Sequence, residues 1–350
     1  MAGNKNGGAE LYSTDIMLSL HAVGLDQRIV MRPTAPRFAE MEKAGLAMAH
    51  DVLAMPFRPL QRLRLRRLIS SYQPDIIHCW MRRAVSLVPS KAAPAIIGWY
   101  GDYEEQTKYF SACTNFIGVT PDLVRHAYEN GAAPGNAFYV PTFPSVEEAA
   151  PLNRATLNTP PDAKVLLILS RLHTVKGIDL ALQALTRLPD CYLWIAGSGP
   201  EDNALQTMAA ELGVAERVRF LGWRTDRGAL LRAADICLLP SRYEPFGTVI
   251  LDAWSTKTAF IACASDGPRA TILNRENGML VPVDDVPALT KAIRDVLDDA
   301  NLRTHIIQTG YTTYLTSFTR EVATQKMLET YQTIRAQAQA GWQSAAKAAR

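Results

Sequence analysis

The chain reads as an α/β protein with parallel sheets, organised in about two domains. Three observations predict this. Short apolar runs alternate with longer stretches of helical periodicity, the pattern of strand–helix–strand units. At 350 residues the length suits two domains, each with its own core. Near the middle, the stretch Pro141–Asp162 is rich in Pro, Ala and Thr and ends in Thr-Pro-Pro-Asp, which reads as a connection between domains.

Taken in order, the strands expected in the first half are Arg28–Met31, Asp75–His78, Ala95–Trp99, Asn115–Val119 and Ala137–Val140. In the second half they are Lys164–Leu169, Cys191–Ala196, Val218–Leu221, Ile236–Leu239 and Ala259–Cys263. Helical spacing lies between them, as at Gly177–Leu188, Glu201–Leu212 and Pro287–Ala300. The stretch Arg58–Arg67 carries five arginines and no acid. Leu60, Leu63 and Ile69, with Leu65, Leu68 and Tyr72, recur through and beyond it at helical spacing. Arg58, Arg62 and Arg66 then share a helix face, a candidate for docking on an anionic membrane surface. The plainer reading is a solvated basic face.

Composition excludes several classes. Hydrophobic residues make up 48% and charged residues 20%, ordinary for a globular chain. No run approaches the roughly 18 apolar residues of a membrane span. No secretory signal is visible at the start, which points to a cytoplasmic protein. A net charge of +3 gives no broad surface for nucleic acid. The five cysteines, Cys79, Cys113, Cys191, Cys237 and Cys263, are scattered and odd in number, and read as reduced thiols, mostly in the core. No Cys/His spacing suggests zinc, and no cofactor is expected.

The most informative stretch is residues 241–252, Ser-Arg-Tyr-Glu-Pro-Phe-Gly-Thr-Val-Ile-Leu-Asp. Glu244 stands in a Pro/Gly turn that reads as the entry to a helix, on which Thr248 and Asp252 share a face. Free N–H groups at Phe246, Gly247 and Thr248 make the helix start an anion site, and Gly247 admits close backbone approach. Two carboxylates beside such a site suit a ligand with both phosphates and hydroxyls, such as a nucleotide sugar. A plain capped helix with a solvated aspartate fits the same residues.

This stretch resembles the E-P-F-G-x-x-x-x-E signature of the retaining family-four, or group 1, glycosyltransferases. Other stretches are similar to motifs of that family, in the same order. Gly7-Gly8-Ala9-Glu10 resembles its first loop, and Ser170–Asp179 its G-R-L-x-x-x-K-G-x-D. Trp194–Pro200 resembles its strand-end I-A-G-x-G-P, Arg219–Gly222 its V-x-F-L-G, and Asn277–Pro282 its N-G-x-L-V-P. The matches span nearly the whole chain and are densest from 164 to 285. The resemblance implies the GT-B fold, two Rossmann-like doubly wound parallel-sheet domains facing across a cleft. It places an N-terminal, acceptor-side domain at 1–145, a linker at 146–163 and the nucleotide-sugar domain at 164–317. A helix at 318–336 crosses back to the first domain, and the Ala- and Gln-rich tail 337–350 is expected to be disordered. The resemblance also implies a hydrophobic strand ahead of Gly7-Gly8. Only the polar Met1–Asn6 stand there, so either the first strand is absent, which would leave a gap in the sheet, or the start of the sequence is truncated.

By the same resemblance, Glu244 holds hydroxyls of the donor sugar, while Arg171 and Lys176 stabilise the leaving diphosphate; these three are the catalytic candidates. A planar guanidinium and a mobile ammonium suit that charge. Gly8, Gly197, Leu221, Gly222, Phe246, Gly247 and Thr248 complete the implied donor site, with Asp252 on the ribose hydroxyls. No Asp-x-Asp metal signature accompanies them, so the protein's cations are expected to do a metal's work. Three departures stand out. Asp252 replaces the family's usual Glu, and Ala270 stands about where a second Glu is common. Gly98–Tyr103 lacks the His that relatives often carry. Asp102 and Tyr100 there, and His78 near Arg82 and Arg83, are the candidates for sugar or acceptor contacts. The variant Ser265-Asp266-Gly267-Pro268 resembles transferases acting on lipopolysaccharide cores. The implied activity is retaining transfer of a sugar from a nucleotide diphospho-sugar, with UDP the commonest carrier, to a cell-envelope glycolipid or polysaccharide. The alternative is a catalytically degenerate homologue that binds nucleotide or protein.

Overall fold

In the computed structural model the described residues are 8–54, 57–104 and 107–348. They form two units, one up to Phe143 and again from Arg320, the other Pro144–Thr319. In chain order the first unit begins with α1 (Gly8–Ala22), β1 (Arg28–Ile29), α2 (Phe38–Lys43), β2 (Ala47–Met48), α3 (Arg58–Tyr72) and β3 (Ile76–Cys79). It continues with α4 (Arg82–Val85), β4 (Ala95–Tyr100), β5 (Asn115–Gly118), α5 (Pro121–Glu129) and β6 (Ala137–Tyr139). Its strands fall in two separate parallel sheets, β1–β2 and β3–β4–β5–β6. The strand expected at 28–31 is only two residues long. Its partner β2 is equally short, and too short to show a pattern in sequence. The core of this unit is aromatic at one end, where the Tyr12 ring lies 6.0 Å from Trp80, 6.1 Å from Trp99 and 5.4 Å from Phe143.

The second unit runs β7 (Lys164–Leu169), α6 (Ile178–Leu185), β8 (Cys191–Ala196), α7 (Asp202–Glu211), β9 (Val218–Gly222), α8 (Arg227–Ala233) and β10 (Ile236–Leu239). Then come α9 (Thr248–Ser255), β11 (Ala259–Cys263), α10 (Asp266–Thr271), β12 (Met279–Val281), α11 (Val286–Asp298) and α12 (Ala300–Ser317). The strands form one six-stranded sheet, all parallel, in the order β12-β11-β10-β7-β8-β9. Parallel strands buried on both faces need continuous apolar runs, and β7, β8, β10 and β11 are such runs. Chain order reverses between β7 and β10, and ligands of open α/β sheets bind at the carboxyl ends of strands flanking such a reversal.

The stretch 146–163, expected as a linker, is built into this unit as an extended strap. Leu152 N–H donates to the Ala229 carbonyl at 3.0 Å, and Arg154 pairs with Asp235 at 3.1 Å. The buried Trp194 indole donates to Thr159 Oγ1 at 3.0 Å. From Arg320 the chain returns to the first unit as α13 (Arg320–Ala348), burying Ala323, Met327 and Ile334 in one core with Ile16 and Leu20 of α1. The tail expected to be disordered from 337 is helical to Ala348. Its Ala and Gln residues extend a helix that packing has already nucleated.

Candidate active site

β7 and β10 end side by side, and the loops that leave them are laced together. After β7 the chain passes Arg171 and makes a single 3-10 turn, Thr174–Lys176. After β10 it runs from Pro240 to Gly247 and enters α9. Arg242 is the fastener. Its backbone N–H donates to the Val175 carbonyl at 2.8 Å, and its guanidinium donates to the Thr174 carbonyl at 2.7 Å. The same guanidinium clamps Asp179 with two bonds of 2.9 and 2.6 Å and reaches Asp284 at 2.7 Å. This lacing sets Lys176 against Glu244, Nζ to Oε2 at 2.7 Å, with side chains only 14% and 15% exposed. A charge pair enclosed to that degree is little screened by salt.

Glu244 is fixed from both sides. Gly267 N–H donates to its carbonyl at 2.8 Å, and Phe246 is buried with its ring 6.4 Å from Phe318. Gly247 has φ of +86°, a conformation costly for any residue with a Cβ, and it turns the chain into α9. No side chain caps that helix. Its first two N–H groups, at Thr248 and Val249, therefore remain donors for an incoming anion, while that of Ile250 bonds the Gly247 carbonyl at 2.9 Å. The helix is held from behind by Trp254, whose indole donates to the Asn277 carbonyl at 2.7 Å.

The other expected residues of this unit gather on the same sheet edge. A Cβ on Gly197 would lie 1.8 Å from the Ser170 carbonyl oxygen, and one on Gly199 would lie 2.2 Å from that of Leu172. Only glycine lets the loop after β8 sit on the loop after β7. Gly197 N–H also donates to the Gly222 carbonyl at 2.7 Å, beside the half-buried Leu221, which brings in the end of β9. Arg171 is exposed and its guanidinium makes no ion pair among the described residues.

Asp252 is paired within the protein. Its carboxylate is 1% exposed and lies 2.9 Å from Arg227 Nη1, while Arg227 Nη2 donates to the Ser145 carbonyl at 3.0 Å. Burial pushes its pKa up, against the pull of Arg227 and of the Ser145 backbone. It is committed to Arg227 rather than open beside Glu244, so a ribose contact would first need that enclosure to open.

In the first unit, Tyr100 is a core residue and His78 is half-buried among aromatic rings. Tyr100 is 2% exposed, with its ring 4.9 Å from Phe110 and 5.4 Å from Phe116. His78 stacks on Trp80 at 4.0 Å and shares a 2.7 Å hydrogen bond between Nδ1 and the Tyr331 hydroxyl, and burial lowers its pKa to about 3. It is a neutral packing residue and not an open acceptor contact. Asp102 is exposed and accepts the N–H of Tyr103 at 2.8 Å. Gly8 opens α1, while Gly7 and Met1–Asn6 lie outside the described residues.

Sequence reading missed Arg242 and Arg227, whose partners stand 63 and 25 residues away. It also missed two buried hydroxyls at the sheet edge, Ser241 and Ser265, which have no hydrogen-bond partner among the described residues. Among the described residues no group of three His, Cys, Asp or Glu side chains is placed to hold a metal ion.

The chain is similar to known proteins in sequence and in fold. Residues 150–313 match the family described as glycosyl transferases group 1. The chain is 30% identical over 326 residues to the lipopolysaccharide core biosynthesis glycosyltransferase LpsE of Rhizobium meliloti (strain 1021), covering 93% of this chain and 96% of that protein. Its fold is similar to that of the sucrose-phosphate synthase of Thermosynechococcus elongatus, with a TM-score of 0.80 and 22% identity over 94% of each chain. It is also similar to HepE of Anabaena in complex with UDP and glucose, with a TM-score of 0.81 and 19% identity over 95% of this chain and 98% of that one. The architecture is GT-B.

Proposed function

Because this chain belongs to the group 1 glycosyl transferases, we propose that the Lys176–Glu244 turn moves a hexose from a nucleotide diphospho-sugar to a cell-envelope glycolipid or polysaccharide. The bond between sugar C1 and the diphosphate oxygen breaks, and the acceptor hydroxyl oxygen bonds to C1. The electron pair leaves with the diphosphate, and the acceptor's proton is taken up by that leaving group. The observation that carries this reading is the 2.7 Å Lys176–Glu244 pair at the sheet reversal, beside the uncapped start of α9. Without a donor the two charges satisfy each other. A diphospho-sugar supplies each with a different partner, phosphate oxygens for Lys176 and sugar hydroxyls for Glu244. Arg171 and the N–H groups of α9 add donors aimed at the charge that grows on the leaving diphosphate. Metal independence and retention of the donor's configuration belong to this proposal.

UDP is the proposed carrier, supported by the UDP bound to HepE. A lipopolysaccharide core is the proposed acceptor, supported by the likeness to LpsE. No helix among the described residues is long and apolar enough to cross a membrane. Docking on an anionic bilayer through α3 is the proposed route to a lipid-borne acceptor. Arg62 and Arg66 are exposed there, and so are Leu63 and the preceding Phe57, at 45% and 63%. Arg58 and Arg62 also hydrogen-bond Ser86, at 3.2 and 2.7 Å, which holds them on that face. A thermal-shift screen of nucleotide sugars tests the donor, since a ligand of the folded state raises the midpoint by mass action. UDP-sugars are expected to raise it; no shift with any nucleotide sugar would contradict the reading.

A further inference from the structure

Arg242 carries more of the site than its partly exposed position suggests. Its guanidinium uses four of its five N–H donors within the protein, two on the Asp179 carboxylate, one on Asp284 and one on the Thr174 carbonyl. Thr174 belongs to the loop after β7, and Asp284 to the loop after β12, three places away in the sheet. Arg242 itself follows β10, so one side chain ties together the carboxyl ends of three strands. The Arg242 side chain is 31% exposed, and those of Asp179 and Asp284 are 30% and 57% exposed. Ion pairs this open to water add little to stability. Asp284 also takes its place with φ of +60°, a conformation that a residue with a Cβ holds only where its surroundings impose it.

These bonds sit next to the reacting groups. Val175, whose carbonyl accepts the Arg242 backbone N–H at 2.8 Å, precedes Lys176. Gly177, which follows Lys176, has φ of +63°, and a Cβ there would lie 2.0 Å from the Pro240 carbonyl oxygen. Both neighbours of Lys176 are therefore seated on the chain that leads to Glu244, two residues past Arg242. Lysine carries its charge on a flexible stem, so the backbone beneath it decides where the ammonium can settle. A displacement of about 1 Å at a reacting group can cost about a hundredfold in rate.

We propose that Arg242 is a positioning residue for sugar transfer, which holds Lys176 at the working distance from Glu244 through its clamp on Thr174, Asp179 and Asp284. The inference rests on the proposed role of Lys176. Arg242 touches no substrate and acts through the two loops. Donor binding also draws on Arg171 and on the N–H groups of α9, so loss of the clamp falls on turnover more than on donor KM. A lysine at 242 does not replace it. One ammonium cannot fork onto Asp179 and reach Asp284 and Thr174 at the same time.

The test follows UDP release from the UDP-sugar, chosen from a panel, that the unaltered full chain turns over fastest on lipopolysaccharide core acceptor. Arg242→Ala is expected to lower kcat by about thirtyfold or more and to change donor KM by less than about threefold. Methylguanidinium should restore part of that kcat, saturably, because it refills the clamp, while methylammonium should not. Arg242→Lys should keep most of the loss. Asp179→Asn keeps the shape of the clamp and removes a charge from it. It should lower kcat by about fivefold alone and by less in the Arg242→Ala background, since the two act as one unit. The inference is overturned, with the reading of the site left standing, if Lys176→Ala is down about a hundredfold while Arg242→Ala stays within about threefold of the unaltered protein. Full restoration by Arg242→Lys has the same force, as does a folded Arg242→Ala that methylguanidinium fails to rescue. Where Arg242→Ala does not fold, Asp179→Asn decides, and an unchanged kcat in it overturns the inference. Full turnover in Lys176→Ala would overturn the reading of the site itself, and this inference with it.

Discussion

Arg227→Ala should destabilise the second unit in a pH-dependent way. The change removes the cation from a carboxylate that is 1% exposed and 2.9 Å away, and it deletes the bond to the Ser145 carbonyl. Removing one partner of a buried pair costs about 3–5 kcal/mol. The Arg227 side chain is 27% exposed, so water already reaches part of the pair. A loss of about 2–3 kcal/mol is therefore expected. For a unit of this size that lowers the midpoint by about 5–10 °C. The sign with pH follows from Asp252, whose folded pKa is raised by burial even with Arg227 present. Without Arg227 it rises further. A protonated Asp252 is neutral and needs no cation, so the cost is small below the unfolded value of about 3.9 and grows as pH climbs through the raised folded value. Calorimetry at pH 7 and at pH 4.5 should find the larger loss at pH 7. Asp252→Asn added to Arg227→Ala should recover most of it. An equal loss at both pH values, or no recovery by Asn, would refute the reasoning.

Arg171→Ala and Lys176→Ala should each lower turnover by about a hundredfold or more with circular dichroism unchanged, because each withdraws a cation from the leaving diphosphate; near-normal turnover in both removes them from the mechanism. Glu244→Gln should harm transfer more than it harms affinity for free UDP, since its proposed partner is the sugar; calorimetric titration beside kinetics decides, and equal losses count against that role. At low salt the protein should sediment with anionic vesicles, and the Arg62→Glu, Arg66→Glu double variant should not, each cation near such a surface being worth on the order of 1 kcal/mol; equal pelleting of the two ends the membrane proposal.

The second unit was legible in sequence because its strands are buried on both faces. β7, β8, β10 and β11 are continuous apolar runs, and their limits were read to the residue. β1, β2 and β12 have two or three residues each, less than a period can reveal. The turn at Glu244 was legible for another reason: Pro and Gly announce a backbone that few residues can follow, and Gly247 does adopt positive φ. Likeness to a family put Glu244 and Lys176 in one site, but their ion pair had no signal in the sequence, because the two stand 68 residues apart. The Asp252–Arg227 pair joins two helices and left no local trace. His78 and Tyr100 were misread because a strand-end position says nothing about which face a side chain takes, and both turned inward onto aromatic neighbours. The strap at 146–163 was misread because proline marks extended chain equally in a free tether and in one held by Thr159 and Arg154.

The central claim is that the Lys176–Glu244 turn carries sugar transfer from a nucleotide diphosphate. Its most direct test is release of UDP by the purified protein, incubated with a panel of UDP-sugars with and without lipopolysaccharide core acceptor. The account predicts acceptor-dependent UDP release with at least one donor, without added metal, and its near-complete loss in Lys176→Ala. A protein that binds a UDP-sugar yet releases no UDP with acceptor present, or a Lys176→Ala variant that releases it at the original rate, would contradict it.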